Sequence, residues 1–204
     1  MKLFYAQTSP FARKVLVLAR ELGLEGRVEK VEVNPWTNED LRAANPLCQV
    51  PTLVLDDGEP LYDSVVICDH LNEISGGRGI PAEGPQRRRA LRLQATADGA
   101  AAAVVRRVRE TVRPENDRHA DVLARQTKAT AAALDVLEGE DLGDPSAPIL
   151  HVGQIAAAVV CGYIDLRVPG DNWREGRSKL AAWYAQVKER PSMVATEPPQ
   201  APPG

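Results

Sequence analysis

The hydrophobic period of this chain changes once, at the run Gly76-Gly77-Arg78-Gly79-Ile80-Pro81-Ala82-Glu83-Gly84-Pro85. Glycine and proline at this density end helices and strands, so no periodic element is expected to cross the run. Before it, short apolar runs alternate with helical patterns; beyond it no strand pattern recurs. A chain divided in this way is expected to fold as an α/β unit over residues 1–76, a linker over 77–85, an all-helical unit over 86–197 and an extended or disordered tail over 198–204. Its 204 residues, 44% of them hydrophobic, suffice for a packed core spread over one large or two small domains.

Within the first unit, Lys2-Leu3-Phe4-Tyr5-Ala6 is short, apolar and aromatic, the mark of a buried strand. Thr8-Ser9-Pro10 then supplies hydroxyl caps followed by a proline whose fixed φ and missing N–H suit the first helical position. Phe11, Val15, Leu18 and Leu22 recur at helical spacing, Arg13, Lys14, Arg20 and Glu21 take the other faces, and Gly23 offers the stop. Ser9 therefore stands at a strand-to-helix corner, its hydroxyl toward the positive end of the helix dipole, a place that attracts anions.

Val28, Val31 and Val33 among Glu29, Lys30 and Glu32 predict a second strand with one buried and one wet face. A short helix over about residues 38–44 leads to Asn45-Pro46-Leu47-Cys48-Gln49-Val50-Pro51 and the buried strand Thr52-Leu53-Val54-Leu55. Pro51 opens that strand. A proline cannot donate to the ladder, and in a tight turn it is the residue most prone to a cis bond, which would turn the N–H and C=O of Val50 outward for a peptide to pair with. Asp56-Asp57-Gly58 marks a hairpin, the returning strand runs through Leu61 and Tyr62, and Asp63-Ser64 opens a helix whose apolar side is read as Val65, Val66, Ile67, Leu71 and Ile74. Ser64 in its first turn can offer a hydroxyl and a free N–H to a carboxylate, and Asp63 can meet an ammonium.

The order β-α-β-α-β-β-α, the proline before the third strand and the hydroxyl at the first helix start closely resemble the thioredoxin-like domain of the glutathione S-transferases. Ser9-Pro10-Phe11-Ala12-Arg13-Lys14-Val15 is similar to the opening of its serine-type bacterial branch. The likeness extends to Asn45 through Leu53, to Asp63-Ser64, and to Leu180-Ala181-Ala182-Trp183-Tyr184 with Arg190-Pro191-Ser192, nearly the whole chain. It implies a thioredoxin-like domain followed by an all-α domain, with glutathione as co-substrate and no metal. Ser9 would hydrogen-bond the glutathione sulfur, at a type of site that lowers a thiol pKa from ~8.5 into the range ~3.5–7.5. Val50, presented by Pro51, would pair its backbone with the cysteinyl unit, Gln49 would reach the glycyl carboxylate, and Ser64 and Asp63 would hold the γ-glutamyl carboxylate and amine. The activity implied is transfer of a small electrophile to the thiol in a cytoplasmic homodimer. A glutathione-dependent isomerase, dehalogenase or lyase on the same scaffold, and a non-catalytic module binding glutathione or a protein, are the alternatives.

Ser9 has two rivals for the hydroxyl role, Thr8 as the cap and Tyr5 from the strand; Ser9 is favoured, with Tyr5 read as a packing residue. Ser9 and Ala12 stand where a dithiol protein of this shape carries Cys-x-x-Cys, so the site must borrow its sulfur. Cys48, where the family more often has glycine, is read as a small loop residue in preference to a partner in a mixed disulfide. Three scattered cysteines make no disulfide framework, no apolar stretch reaches the roughly 20 residues of a membrane span, and no signal-peptide order opens the chain. A net charge of −3 gives no general attraction to nucleic acid.

In the helical unit, helices are expected over residues 86–112 and 117–137, a buried axial helix over 155–164 and an amphipathic one through Leu180, Trp183, Tyr184 and Val187. Arg87-Arg88-Arg89, Arg92, Arg106-Arg107, Arg109 and Arg113 read as a solvated face. The resemblance also places their helix beside the electrophile pocket, which makes Arg106 and Arg107 candidates for an anionic co-substrate. Phe11 and Trp36 are candidate pocket walls, more simply a core residue and a loop anchor. Two departures from the family pattern stand out. His151-Val152-Gly153-Gln154 replaces Ser/Thr-x-x-Asp at the start of the axial helix, a weaker cap with some expected loss of stability. Asp63 replaces the commoner Glu and is one methylene shorter.

Overall fold

The computed structural model describes residues 1–199, so part of the expected tail, residues 200–204, lies outside the described residues. β1 (Lys2–Tyr5), α1 (Pro10–Glu21), β2 (Glu29–Glu32), α2 (Glu39–Ala44), β3 (Thr52–Val54), β4 (Pro60–Leu61) and α3 (Ser64–Ile74) follow one another in the expected order. They build one sheet, β2-β1-β3-β4, in which the α1 crossover makes β1 and β2 parallel and β3 runs antiparallel to both β1 and β4. Side chains alternate across it: Leu3 packs with α1 and α3, Phe4 with Val33 and Leu41 on the other face. The exposed Glu29, Lys30 and Glu32 keep the edge strand β2 charged.

The helical unit comprises α4 (Gly84–Thr111), α5 (Ala120–Gly139), α6 (Val152–Arg167), α7 (Ser178–Val187) and α8 (Pro191–Val194). α4 starts earlier than its periodicity suggests because Pro85 occupies the first turn, where a missing N–H costs nothing. α5 starts later, since residues 115–117 form a separate 3₁₀ turn too short to show a period. α6 is the axial helix: every residue from Val152 to Cys161 is buried. It lies so close to α4 that a Cβ on Gly153 would stand 2.4 Å from the Ala90 carbonyl oxygen.

The main departure from the sequence pattern is on α1. Its charged residues were expected on outer faces, yet Lys14 is 1% exposed and the Glu21 side chain 4%. α1 has no outer face along much of its length, because the sheet and α3 cover one side and the helical unit the other. Lys14 Nζ meets Asp98 of α4 at 2.5 Å, and Glu21 accepts hydrogen bonds from Arg190, Ser192 and the Leu150 N–H. On α3 the reverse holds: Val65 and Val66, read as part of its apolar side, are 43% and 46% exposed. A rotation of about 100° per residue brings Ser64, Ile67, Cys68 and Leu71 to the covered face and turns 65 and 66 away from it.

His151 caps α6 better than its residue type suggests. Its Nδ1 accepts from the N–H groups of Gly153 and Gln154 at 3.1 and 3.3 Å, and Gln154 Oε1 accepts from the His151 N–H at 2.8 Å, a reciprocal capping box. Burial and then the nearby Arg89 lower the His151 pKa from 6.5 to about 4, which keeps the ring an acceptor at neutral pH. The unfolded chain takes up this proton from about pH 6.5 downward while the folded chain resists to about 4, so stability is lost as pH falls through that window. The loss is at most about 3 kcal/mol before solvent screening of this half-buried group. Urea midpoints at pH 7 and 4.5 measure it. His151→Asn, a cap that does not titrate, should flatten the fall, and an equally steep fall in that variant would remove His151 as its source.

Candidate functional site

β1 ends at Tyr5 and α1 starts at Pro10, leaving Ser9 in extended conformation as the N-cap. Its Oγ accepts from the Ala12 N–H at 3.2 Å, which leaves the hydroxyl proton free to donate. Thr8 is exposed and takes no part in the cap. Ser9 lines a narrow crevice, with room for about 10 Å³, together with Thr8, Arg13, Val159 and Tyr163. Tyr5 does not line this crevice but a cavity of about 500 Å³ that shares Gln7 and Arg13 with it, and burial followed by the Glu32 charge raises its phenol pKa.

Gln49, Val50, Pro51, Asp63 and Ser64 come together around one cavity of about 380 Å³, whose walls include Phe11 and Tyr62. Ser9 is not among the residues lining it; Phe11, two residues further along, links the cavity to the head of α1. The loop before β3 is stitched by Asn45, 1% exposed, whose Nδ2 donates to Thr52 Oγ1 at 2.9 Å and to the Gln49 carbonyl at 3.2 Å. That holds Gln49 by its backbone and leaves its side chain exposed. The Val50–Pro51 and Tyr62–Asp63 peptide bonds are cis. Among the described residues, the N–H and C=O of Val50 make no intramolecular hydrogen bond. Asp63 caps α3 through Val65 N–H at 3.0 Å and stays exposed. Ser64 is 2% exposed, yet its N–H and hydroxyl have no partner among the described residues.

Chemically, the cavity offers backbone groups for a peptide, a carboxylate for an ammonium, and an N–H with a hydroxyl at a helix N-terminus for a carboxylate. Beside it, the head of α1 offers a hydroxyl and the dipole of a 12-residue helix to an anion. Cys48 does not line the cavity. It holds φ at +49, in the left-handed region that favours glycine. Burial pushes the Cys68 thiol up to about 12 and the Cys161 thiol up as well, so neither is a nucleophile at neutral pH.

The arginine face resolves into separate roles. Arg107 is buried and makes a two-point pair with Asp171, at 2.5 and 2.8 Å, which removes it as a free anion ligand. Arg109 lies 5.7 Å above the ring of Trp36, which is 76% exposed and belongs to no core. Sequence reasoning missed Tyr163 and Arg13 as neighbours of Ser9. Arg13 stands one turn beyond Ser9 on the same helix, and Tyr163 is the one phenol in the apolar run of α6; these were the available signals. Among the described residues, no group of three or more His, Cys, Asp or Glu side chains is placed to hold a metal, and no helix is long and apolar enough to cross a membrane.

Known proteins share this sequence pattern and fold. The chain matches the family model for the glutathione S-transferase N-terminal domain over residues 8–74 and that for the C-terminal domain over residues 120–186. It is 32% identical to the uncharacterized GST-like protein YibF of Escherichia coli K12, covering 98% of this chain and all of that one. A crystal structure of a glutathione transferase family member from Pseudomonas fluorescens Pf-5, with bound glutathione, superposes with a TM-score of 0.91 at 38% identity over 97% of this chain and 98% of that one. A second structure from that organism, with bound S-(propanoic acid)-glutathione, gives 0.88 at 37% identity over 98% and 100% of the two chains. A glutathione S-transferase from Methylobacillus flagellatus KT with glutathione bound gives 0.88 at 33% identity over 97% and 98%.

Proposed function

This chain belongs to the glutathione S-transferase family, and from that premise we propose that it holds glutathione in the 380 Å³ cavity and activates the thiol at Ser9 for attack on a small electrophile. The observation that carries this reading is the set of unpartnered groups in one cavity: the backbone of Val50 and the N–H and hydroxyl of Ser64, with the Asp63 carboxylate beside them. Val50, set by Pro51, pairs with the cysteinyl unit, Ser64 and Asp63 take the γ-glutamyl carboxylate and amine, and Gln49 takes the glycyl carboxylate. Their ligand needs a thiol of its own, since neither Ser9 nor Ala12 supplies sulfur. The glutathione and glutathione thioether bound by relatives support the thiol as the reacting atom.

The unit over residues 1–76 thus binds glutathione, and the unit over 86–197 supplies the acceptor side. Exposed Val65, Val66 and Leu47 support pairing of two copies into a homodimer, and three free thiols fit a reducing, cytoplasmic setting. Isothermal titration with glutathione tests the reading. The wild-type protein should bind, and Ser64→Ala should weaken binding about tenfold, the scale of a lost hydrogen bond to a charged group. Absence of binding in the wild type would overturn the assignment.

A further inference from the structure

Among the described residues, Arg13 of α1 is held at a single nitrogen: its Nη2 donates to the Met193 carbonyl at 3.0 Å. Its Nε is shut off from solvent without a partner, and no carboxylate among those residues pairs with the guanidinium. A cation taken out of water without a counter-ion is costly. Gly162 of α6 stands against it, and a Cβ there would meet Tyr184 Oη at 2.7 Å and Arg13 Nη1 at 3.0 Å. The missing side chain leaves these two groups a common space, within reach of one acceptor oxygen. Tyr184 is 6% exposed, and its hydroxyl has no intramolecular partner among the described residues. Burial first, then Cys161 and Asp165, raise its phenol pKa against the pull of Arg13 and Arg174, so the hydroxyl is a donor at neutral pH.

Arg13, Gly162 and Tyr184 line a cavity of about 690 Å³, the volume of a small-molecule site. It shares no lining residue with the 380 Å³ cavity and meets the Ser9 crevice only at Arg13 and Pro198. Leu166, Pro169 and Val194 give it an aliphatic wall. Three acids line it as well. Asp165 is taken by Arg174 and the Trp173 indole N–H, Glu189 by Lys188 at 3.5 Å, and Glu197 acts on Arg13 from beyond ion-pair reach. Their charges favour a ligand with one negative charge over a ligand with two.

We propose that this cavity is a second ligand site, which takes a short aliphatic monocarboxylate: Arg13 Nη1 and Tyr184 Oη donate to the carboxylate beside Gly162, and the alkyl chain lies on Leu166, Pro169 and Val194. The bound anion supplies the counter-charge that the guanidinium lacks. A phosphate monoester brings a second charge toward Glu189 and Glu197 and fits less well. The site stands independently of the glutathione reading, since the two cavities have no residue in common.

Isothermal titration of the full chain with hexanoate tests the proposal, with hexanamide as the uncharged twin and butyl phosphate as the dianion. Hexanoate should bind one to one, about tenfold or more tightly than either control, and with the same affinity in saturating glutathione. Tyr184→Phe keeps the ring against Trp173, at 5.9 Å between centroids, and should weaken hexanoate about tenfold, the scale of one hydrogen bond to a charged group. Gly162→Ala, which sets a methyl group between the two donors, should abolish hexanoate binding. Urea midpoints identify any variant that fails to fold, and Tyr184→Phe carries the test if Gly162→Ala does. No hexanoate binding by the wild type, equal affinity for hexanamide, an unchanged affinity in Tyr184→Phe, or displacement of hexanoate by glutathione overturns the proposal.

Discussion

Ser9→Ala should bind glutathione almost as the wild type does and turn it over ten- to a hundredfold more slowly at neutral pH. A hydrogen bond to a charged acceptor contributes about 1.5–3 kcal/mol, which at ~1.4 kcal/mol per pKa unit is a thiol raised by roughly one to two units. The acid limb of the pH–rate profile should therefore move up by that amount, with the two proteins converging at alkaline pH where the thiol ionises unaided. Stability should fall separately by about 1 kcal/mol, because the same Oγ caps α1 at 3.2 Å from the Ala12 N–H. The two effects are separable. Ser9→Thr keeps a hydroxyl and should retain the profile, while Thr8→Ala and Tyr5→Phe should leave it in place, since Thr8 caps nothing and Tyr5 lines a different cavity. A lower urea midpoint with an unmoved profile in Ser9→Ala would leave Ser9 a cap and nothing more.

What the sequence disclosed follows from the range of the forces involved. The corner at Ser9-Pro10 and the helix starts near Asn38 and at Asp63-Ser64 are decided within four residues, and each stands within a residue of where the local pattern puts it. The alternation of Leu3 and Phe4 between two cores is likewise a property of one strand. Lys14 escaped the pattern because its burial depends on Asp98, 84 residues away, and an amphipathic reading of one helix cannot show that a second domain will cover its polar side. Arg107 looked like a free cation for the same reason, its partner Asp171 lying 64 residues on. Val65 and Val66 erred the other way, apolar residues turned outward on a helix whose covered face was already filled. In the candidate site, the loop residues Gln49 to Pro51 and the pair Asp63-Ser64 were legible as one cavity. The neighbours of Ser9 on α6 were not, because only the docking of the two units brings residue 163 to residue 9.

That docking is where the largest loss of stability is expected. Glu21, at the far end of α1 from Ser9, accepts from Arg190 Nε and Nη2 at 3.0 and 2.7 Å, from the Leu150 N–H at 3.0 Å, and from Ser192 Oγ. Burial alone would raise its pKa; the hydrogen bonds from Arg190, Ser192 and Leu150 outweigh it and hold the carboxyl below its ordinary value. A carboxylate so held contributes stability above its unfolded pKa of about 4.3 and loses that contribution as pH falls through its lower folded value. Glu21→Ala removes the acceptor and leaves the Arg190 guanidinium, whose side chain is 15% exposed, with only the Pro145 and Ala147 carbonyls. Removing one partner of a buried pair costs about 3–5 kcal/mol, more than most single changes on a domain of this size. Glu21→Gln, which keeps an acceptor without the charge, should fall between Glu21→Ala and the wild type. Adding Arg190→Ala to Glu21→Ala should recover part of the loss, because no charge is then left unpaired. Urea midpoints at pH 7 for the wild type, Glu21→Ala, Arg190→Ala and the double variant close the cycle. A cost under about 1 kcal/mol for Glu21→Ala would mean that the Lys14–Asp98 pair and the apolar contacts of α1 with α6 hold the two units together without it.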